Sequence, residues 1–188
     1  YEIEVYKRDL DNVRGLSDSK IHAIDDDAGG MLWLATADKV NAYDPRNNSF
    51  TRYYVGIDES DPGEKNEINS ITVDSEGNVW AGTENGLFLF DRAKNKFLWW
   101  SRHEDNTRFF LPVNVSRIFE DRKRVLWIAT DTGIFTYDYK RGRTGKFSVN
   151  VVKNGLNRGN ENSKENRVKA IYEDTAGKLW IGTTSGHL

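Results

Sequence analysis

Three consecutive carboxylates, Asp25-Asp26-Asp27, followed by Gly29-Gly30, are the first residues in the chain whose types could hold a metal. A calcium loop needs oxygen ligands at alternating positions, a central glycine and a distal glutamate. Here the aspartates are adjacent and that glutamate is missing, so the stretch reads as a hairpin turn. Histidine is the other candidate ligand. His22, His103 and His187 stand in unrelated contexts without metal spacing, and each is expected to be solvated or partly packed. Cysteine is absent, which removes thiol catalysis, zinc–thiolate sites and disulfides. Neither a metal nor a cofactor is expected.

A further acid–base candidate is the set Asp27, Asp74, Asp121 and Asp174, but its members recur in a repeat. Four segments align without gaps: IDDDAGGMLWLAT from Ile24, ITVDSEGNVWAGT from Ile71, IFEDRKRVLWIAT from Ile118 and IYEDTAGKLWIGT from Ile171. In each, isoleucine precedes the tryptophan by nine positions, aspartate precedes it by six, and threonine follows it by three. The tryptophans, Trp33, Trp80, Trp127 and Trp180, are spaced by 47, 47 and 53 residues. The third interval is lengthened by YDYKRGRTGKF and the polar NRGNENSKEN. Aspartates found once per unit lie too far apart for paired acid–base work, which needs carboxylates within roughly 5–10 Å. They are expected to be structural turn residues. The Asp-box of sialidase-like proteins is a weak match, because here the aspartate stands one position too far from the tryptophan.

Within a unit the pattern is that of strands. Asp-x-x-Gly turns such as Asp74-Ser75-Glu76-Gly77 separate two apolar runs, with Gly free to take positive φ. The third copy has Arg124 where the others have Gly30, Gly77 and Gly177, so a strained or altered turn is expected there. A second turn follows at Thr83-Glu84-Asn85-Gly86 and at Thr130-Asp131-Thr132-Gly133. A third strand then ends in Tyr43-Asp44, Phe90-Asp91 or Tyr137-Asp138. A fourth carries aromatics three apart, Phe50/Tyr53 and Phe97/Trp100, and Ile3/Tyr6 falls at the same place relative to the next repeat.

Four antiparallel strands per unit of about 40–50 residues predict an all-β fold, a β-propeller of four-stranded blades. No segment has the 3.6-residue period of a helical solenoid, and the unit is too long for a leucine-rich repeat. The chain divides into residues 1–10 (last strand of a preceding blade), blades at 17–56, 64–103 and 112–153, and an incomplete blade at 166–188. About four blades are therefore expected, as part of a larger ring. The repeated indole is the expected wedge between blades, since a lone blade leaves apolar faces uncovered.

Propellers bind at the mouth of the ring, where loops lead into the innermost strand. Lys20, His22, Glu67, Asn69, Asn114, Arg117, Arg167 and Lys169 occupy those positions and differ between copies while the frame stays constant. They form the candidate ligand site, set against plain solvation of loop ends. Trp99-Trp100 adds an indole pair, of which Trp99 could stack on a sugar and Trp100 could pack between blades.

The pattern D-x-x-G-x-[LV]-W-[IA]-[GA]-T-x-x-G-[LI]-[FL]-x-[YF]-D resembles the two-component regulator propeller repeat. The match is best at Asp74 to Asp91, Asp121 to Asp138 and Asp174 to Gly186, and it drifts in the first copy, where Lys39 replaces Gly. Leu111-Pro112-Val113-Asn114 and Gly155-Leu156-Asn157 are similar to that family's lead-in. The resemblance implies a seven-bladed propeller ahead of a smaller β-domain, a transmembrane helix, a histidine kinase and often a DNA-binding domain. It implies a periplasmic, non-enzymatic sensor of polysaccharide-derived sugars. Its partners would be an oligosaccharide, the rest of its own propeller, the downstream signalling domains and a second copy in a homodimer. The alternatives are a scaffold for protein contact alone and, more remotely, a propeller lyase or glycosidase.

The bulk numbers agree with a folded extramembrane domain. The 188 residues are 37% hydrophobic and 30% charged, and the net charge of −2 provides no global field for nucleic acid. No apolar run is long enough to cross a bilayer, and YEIEVYKRD is not a signal peptide.

Overall fold

The structure, a computed structural model, describes residues 3–8, 12, 14–56, 66–100, 113–138, 140–147 and 168–183. All regular structure among them is β. The first sheet runs β1 (Ile21–Asp26), β2 (Leu32–Thr36), β3 (Val40–Asp44) and β4 (Ser49–Tyr53) in sequence order. The second runs β5 (Ile68–Val73), β6 (Val79–Thr83), β7 (Gly86–Asp91) and β8 (Lys96–Trp99). The third runs β9 (Val115–Glu120), β10 (Val125–Thr130), β11 (Gly133–Asp138) and β12 (Arg143–Phe147). β13 (Val168–Glu173) and β14 (Leu179–Thr183) begin the fourth. Every pairing is antiparallel between neighbours, and the first strands β1, β5, β9 and β13 lie successively against one another. These are propeller blades meeting along their innermost strands.

Local chemistry explains the fixed positions of the repeat. In each first turn the aspartate backbone N–H donates to the carbonyl four residues on, and its own carbonyl accepts from the residue three on. That last residue is left-handed: Gly30, Gly77 and Gly177 have φ of 82°, 81° and 79°, and Arg124 takes 62°. The arginine thus keeps the turn's shape and carries the strain a Cβ brings there. The repeated threonine closes the second turn. Thr36, Thr83 and Thr130 donate from Oγ1 to the carbonyls of Lys39, Gly86 and Gly133 at 2.8, 3.0 and 2.8 Å. In the third turn the aspartates of the aromatic–Asp pairs cap the backbone: Asp44, Asp91 and Asp138 accept from the N–H of Arg46, Lys94 and Arg141.

Alternation places opposite faces of each blade against opposite neighbours. Trp33 joins Ile71, Val79, Phe88, Phe90 and Phe97 between the first and second blades. Trp80 joins Val115, Ile118, Leu126 and Ile128 between the second and third. Trp127 packs on Val168 and Ile171 between the third and fourth. Approach is closest at Gly82, where a Cβ would fall 2.6 Å from Val115 Cγ1. Any side chain there would drive two blades apart.

The fourth tryptophan has no described neighbour on the face where the others meet the following blade. Trp180 is 41% exposed, with Lys178 Nζ 4.4 Å over its ring, because no described element lies on that side of β13–β14. Residues 3–7 belong to no sheet, and Arg8 makes a single bridge with Leu16. The lead-ins at 111–112 and 155–157, the loop at 148–167, His103 and His187 lie outside the described residues.

Candidate functional site

The predicted mouth residues sit on or just before the innermost strands. The second residues of β1 and β5, His22 and Asn69, point across to the next blade. His22 Nδ1 lies 2.8 Å from the carbonyl oxygen of Ile68, a contact that requires the proton on Nδ1. Asn69 Nδ2 donates to the Val115 carbonyl at 3.2 Å and to Asn114 Oδ1 at 3.3 Å. The equivalent residue of β9 is Ser116, whose Oγ donates to the Val168 carbonyl at 2.8 Å. Ile68, Val115 and Val168 each open the next innermost strand. One repeat position therefore ties each blade to the following one with a different polar side chain each time. Ser116 was absent from the predicted set, although counting 47 residues on from Asn69 would have found it.

The opposite ends of these strands are stitched as well. Asp25 Oδ2 accepts from the Val73 N–H at 2.8 Å. Glu120 accepts from both the N–H and the hydroxyl of Ser75, at 2.7 and 2.9 Å. Glu173 accepts from the Arg122 N–H at 2.8 Å. Each of these carboxylates holds an adjacent blade by one or two donors, and none is arranged as an acid–base pair.

Of the other mouth residues, Glu67 places Oε1 3.7 Å from His22 Nε2, and its carbonyl accepts the Glu84 N–H at 3.0 Å. The Asn114 carbonyl likewise accepts the Asp131 N–H at 3.2 Å. The structure thus brings His22 to Glu67 and Asn69 to Asn114. Lys20, Arg117 and Lys169 are exposed along the same succession of innermost strands, and Arg167 lies outside the described residues. Trp99 is elsewhere, at the end of outermost strand β8, half-buried against the cluster that holds Trp33. Trp100 stands edge-on to Trp80 at 5.4 Å and to Tyr137 at 4.8 Å.

The repeated aspartates hold the first turns and have a second use that the sequence reading did not name. Each accepts the indole N–H of the tryptophan six positions on: Trp33 to Asp27 at 3.3 Å, Trp80 to Asp74 at 2.7 Å, Trp127 to Asp121 at 2.8 Å and Trp180 to Asp174 at 2.8 Å. The other carboxylate oxygen accepts backbone N–H groups two and four residues on. Donation from the Trp180 indole, and after it from the Lys178 backbone N–H, holds the Asp174 carboxyl below its usual range. These aspartates are occupied by the fold. Among the described residues no three His, Asp or Glu side chains converge as metal ligands would.

A family model for the two component regulator propeller matches residues 62–85 and 162–185, spanning β5–β6 in one copy and β13–β14 in the other. No curated protein matches the chain. Among solved structures, the extracellular domain of BT4673 from B. thetaiotaomicron, described both as a one component and as a hybrid two component system, is similar with a TM-score of 0.67. The identity is 21%, over 92% of this chain and 21% of that one. Virginiamycin B lyase from Staphylococcus aureus is similar with a TM-score of 0.59 at 15% identity, over 92% of this chain and 55% of the lyase. The chain spans about a fifth of the length of BT4673's domain. At these identities the likeness is one of fold.

Proposed function

From a chain whose blades carry two component regulator propeller repeats, we infer a ligand-sensing propeller: the extracytoplasmic part of a hybrid two-component sensor that responds to polysaccharide-derived sugars. The observation that carries this reading is the repeat match at two separate blades, 62–85 and 162–185. The fold shared with an extracellular domain of such a system supports it. So does the division of labour along the innermost strands. His22, Asn69 and Ser116 lock the blades together, which leaves a rigid frame, while Lys20, Arg117 and Lys169 are exposed on that frame. Ammonium and guanidinium donors presented this way can hydrogen-bond sugar hydroxyls or a uronate carboxylate without the fold rearranging. The segment itself senses. Phosphoryl transfer belongs to domains beyond it.

Isothermal titration with oligosaccharides released from plant, host and microbial polysaccharides tests this reading. Saturable heat is expected for one class, lost in the Lys20→Ala, Arg117→Ala, Lys169→Ala triple variant with no change in melting temperature. Absence of heat with every class would refute sugar sensing. Retention of binding by the triple variant would move the site away from the innermost strands.

A further inference from the structure

A bulge recurs in the first strand of every described blade. The register slips between Ile21 and Ala23, between Ile68 and Ser70, between Val115 and Arg117, and between Val168 and Ala170. The residue passed over is His22, Asn69, Ser116 or Lys169. A bulged residue lacks a cross-strand partner, and its side chain is re-aimed. In the three seams between described blades the re-aimed group reaches a carbonyl of the next blade, that of Ile68, Val115 or Val168. Asparagine and serine make this tie without a titratable proton. Histidine makes it with a ring whose charge changes near neutrality.

The His22 ring is engaged at one end and bare at the other. Nδ1–H donates to the Ile68 carbonyl at 2.8 Å, which leaves Nε2 of the neutral ring a lone pair. Nε2 is shut off from solvent, and no donor reaches it among the described residues. The group beside it is also an acceptor, Glu67 Oε1 at 3.7 Å. Two acceptors face one another with no proton between them. The His22 side chain is 13% exposed and that of Glu67 41%, so the carboxylate keeps an aqueous side that the ring lacks. The pair lies at a seam inside the described run of blades, where β5 has β1 on one side and β9 on the other.

The charges around the pair set what a proton would meet. β2 and β5, which pack on β1, carry no titratable side chain. From the second blade come Glu67 and Glu84, whose N–H donates to the Glu67 carbonyl at 3.0 Å. From the first come Lys20, just before β1, and Asp38 with Lys39, which pair with one another at 3.1 Å. Asp25, farther along β1, is engaged by the Val73 N–H. Among the described residues an imidazolium here is therefore offset by two carboxylates against the ammonium of Lys20.

We propose that His22 and Glu67 form a proton-operated latch at the mouth. With the ring neutral, the Glu67 carboxylate stands at the rim as an acceptor for a ligand's hydroxyl or ammonium donors. With the ring charged, Nε2–H donates to Glu67 and ties the rim of the second blade to the first. The proton comes from solvent and its uptake breaks no other bond, since Nδ1–H keeps the Ile68 carbonyl in both states. A charge-assisted N–H···O bond spans about 2.7–2.9 Å, so Glu67 has about 1 Å to travel. Mild acid thus withdraws one acceptor from the rim. The latch needs only this pair, and its effect on a ligand rests on the mouth being the sensing site.

Imidazole N–H resonances of the isotope-labelled chain test the latch with no ligand present, so the result does not depend on whether a sugar binds. The sequence has three histidines, and the His22 signals are assigned by their nuclear Overhauser contacts to Ile68. At about pH 8 one His22 N–H is expected, on Nδ1; at about pH 5.5 a second should appear, on Nε2, slowed in its exchange by the carboxylate. Glu67→Ala should abolish the Nε2–H resonance at about pH 5.5 and leave that of Nδ1–H in place. The wild-type comparison stands even if the variant fails to fold. Absence of the second resonance from the wild type in mild acid, its presence at the higher pH, or its persistence in Glu67→Ala would overturn the proposal.

Discussion

Trp80→Ala should be the most damaging single substitution among the repeated tryptophans, and its cost can be worked from two contributions. The side chain is 2% exposed, between Leu87, Val115 and Leu126, with Trp100 edge-on to it. Truncating a buried aromatic to alanine costs about 3–5 kcal/mol, through lost transfer energy and the cavity left behind. The indole N–H also donates at 2.7 Å to Asp74, itself 4% exposed. Removing that donor leaves Asn78 and two backbone groups on a buried carboxylate, which adds ~1–2 kcal/mol. A total near 5 kcal/mol is a large part of the ~5–15 kcal/mol by which a domain is stable. Trp180→Ala is the internal control. It loses the same kind of hydrogen bond, 2.8 Å to Asp174, but from an indole that is 41% exposed and covered on one side by Lys178. Its cost should be ~1–2 kcal/mol. Urea unfolding followed by far-UV circular dichroism measures both, since deleting a tryptophan does not disturb that signal as it disturbs fluorescence. Equal costs for the two variants, or a larger cost at Trp180, would refute the wedge argument.

Three other outcomes follow from the same geometry. Gly82→Ala should lower the melting temperature sharply, because its Cβ would lie 2.6 Å from Val115 Cγ1, whereas Gly182→Ala meets only Ala170 Cβ at 3.7 Å and should be tolerated; equal melting would contradict the close approach of the blades. Arg124→Gly should stabilise by about 1 kcal/mol by relieving a left-handed φ of 62° at a position that is glycine in the sibling turns, less a few tenths for the exposed pair with Glu76 at 3.6 Å; a lower melting temperature would contradict it. Stability should fall on acidification below about pH 4. Asp44 is held low by the Arg46 guanidinium, Asp91 by the Lys94 backbone N–H, Asp138 by Arg141 and Asp174 by the Trp180 indole. With folded values below unfolded ones, their contribution is complete above the unfolded value and is lost as pH falls through the folded one. Because all four keep part of their surface in water, the effect should be shallow and weaker in salt, and thermal melts between pH 6 and 2.5 that rise instead would refute the sign.

The repeat was legible because its determinants act over short range. Asp, Gly, Trp and Thr recur at fixed offsets since the carboxylate must reach an indole six residues on and backbone groups two and four on, and the threonine must reach a carbonyl three on. Period-two alternation then placed the strands, so three four-stranded blades and their turns could be read from one chain, down to the odd turn at Arg124. The roles of the innermost-strand residues could not be read this way. His22 and Asn69 look like part of an open, variable binding rim in sequence and Ser116 gives no signal of its own, yet the three reach carbonyls 46, 46 and 52 residues away. Whether such a side chain faces a ligand or a neighbouring blade depends on how two sheets are set against each other. The same holds for the repeated indoles: local rules make them alike, and only the setting of one sheet against the next decides what covers each, Trp80 being 2% exposed where it meets Val115 and Leu126 of the following blade.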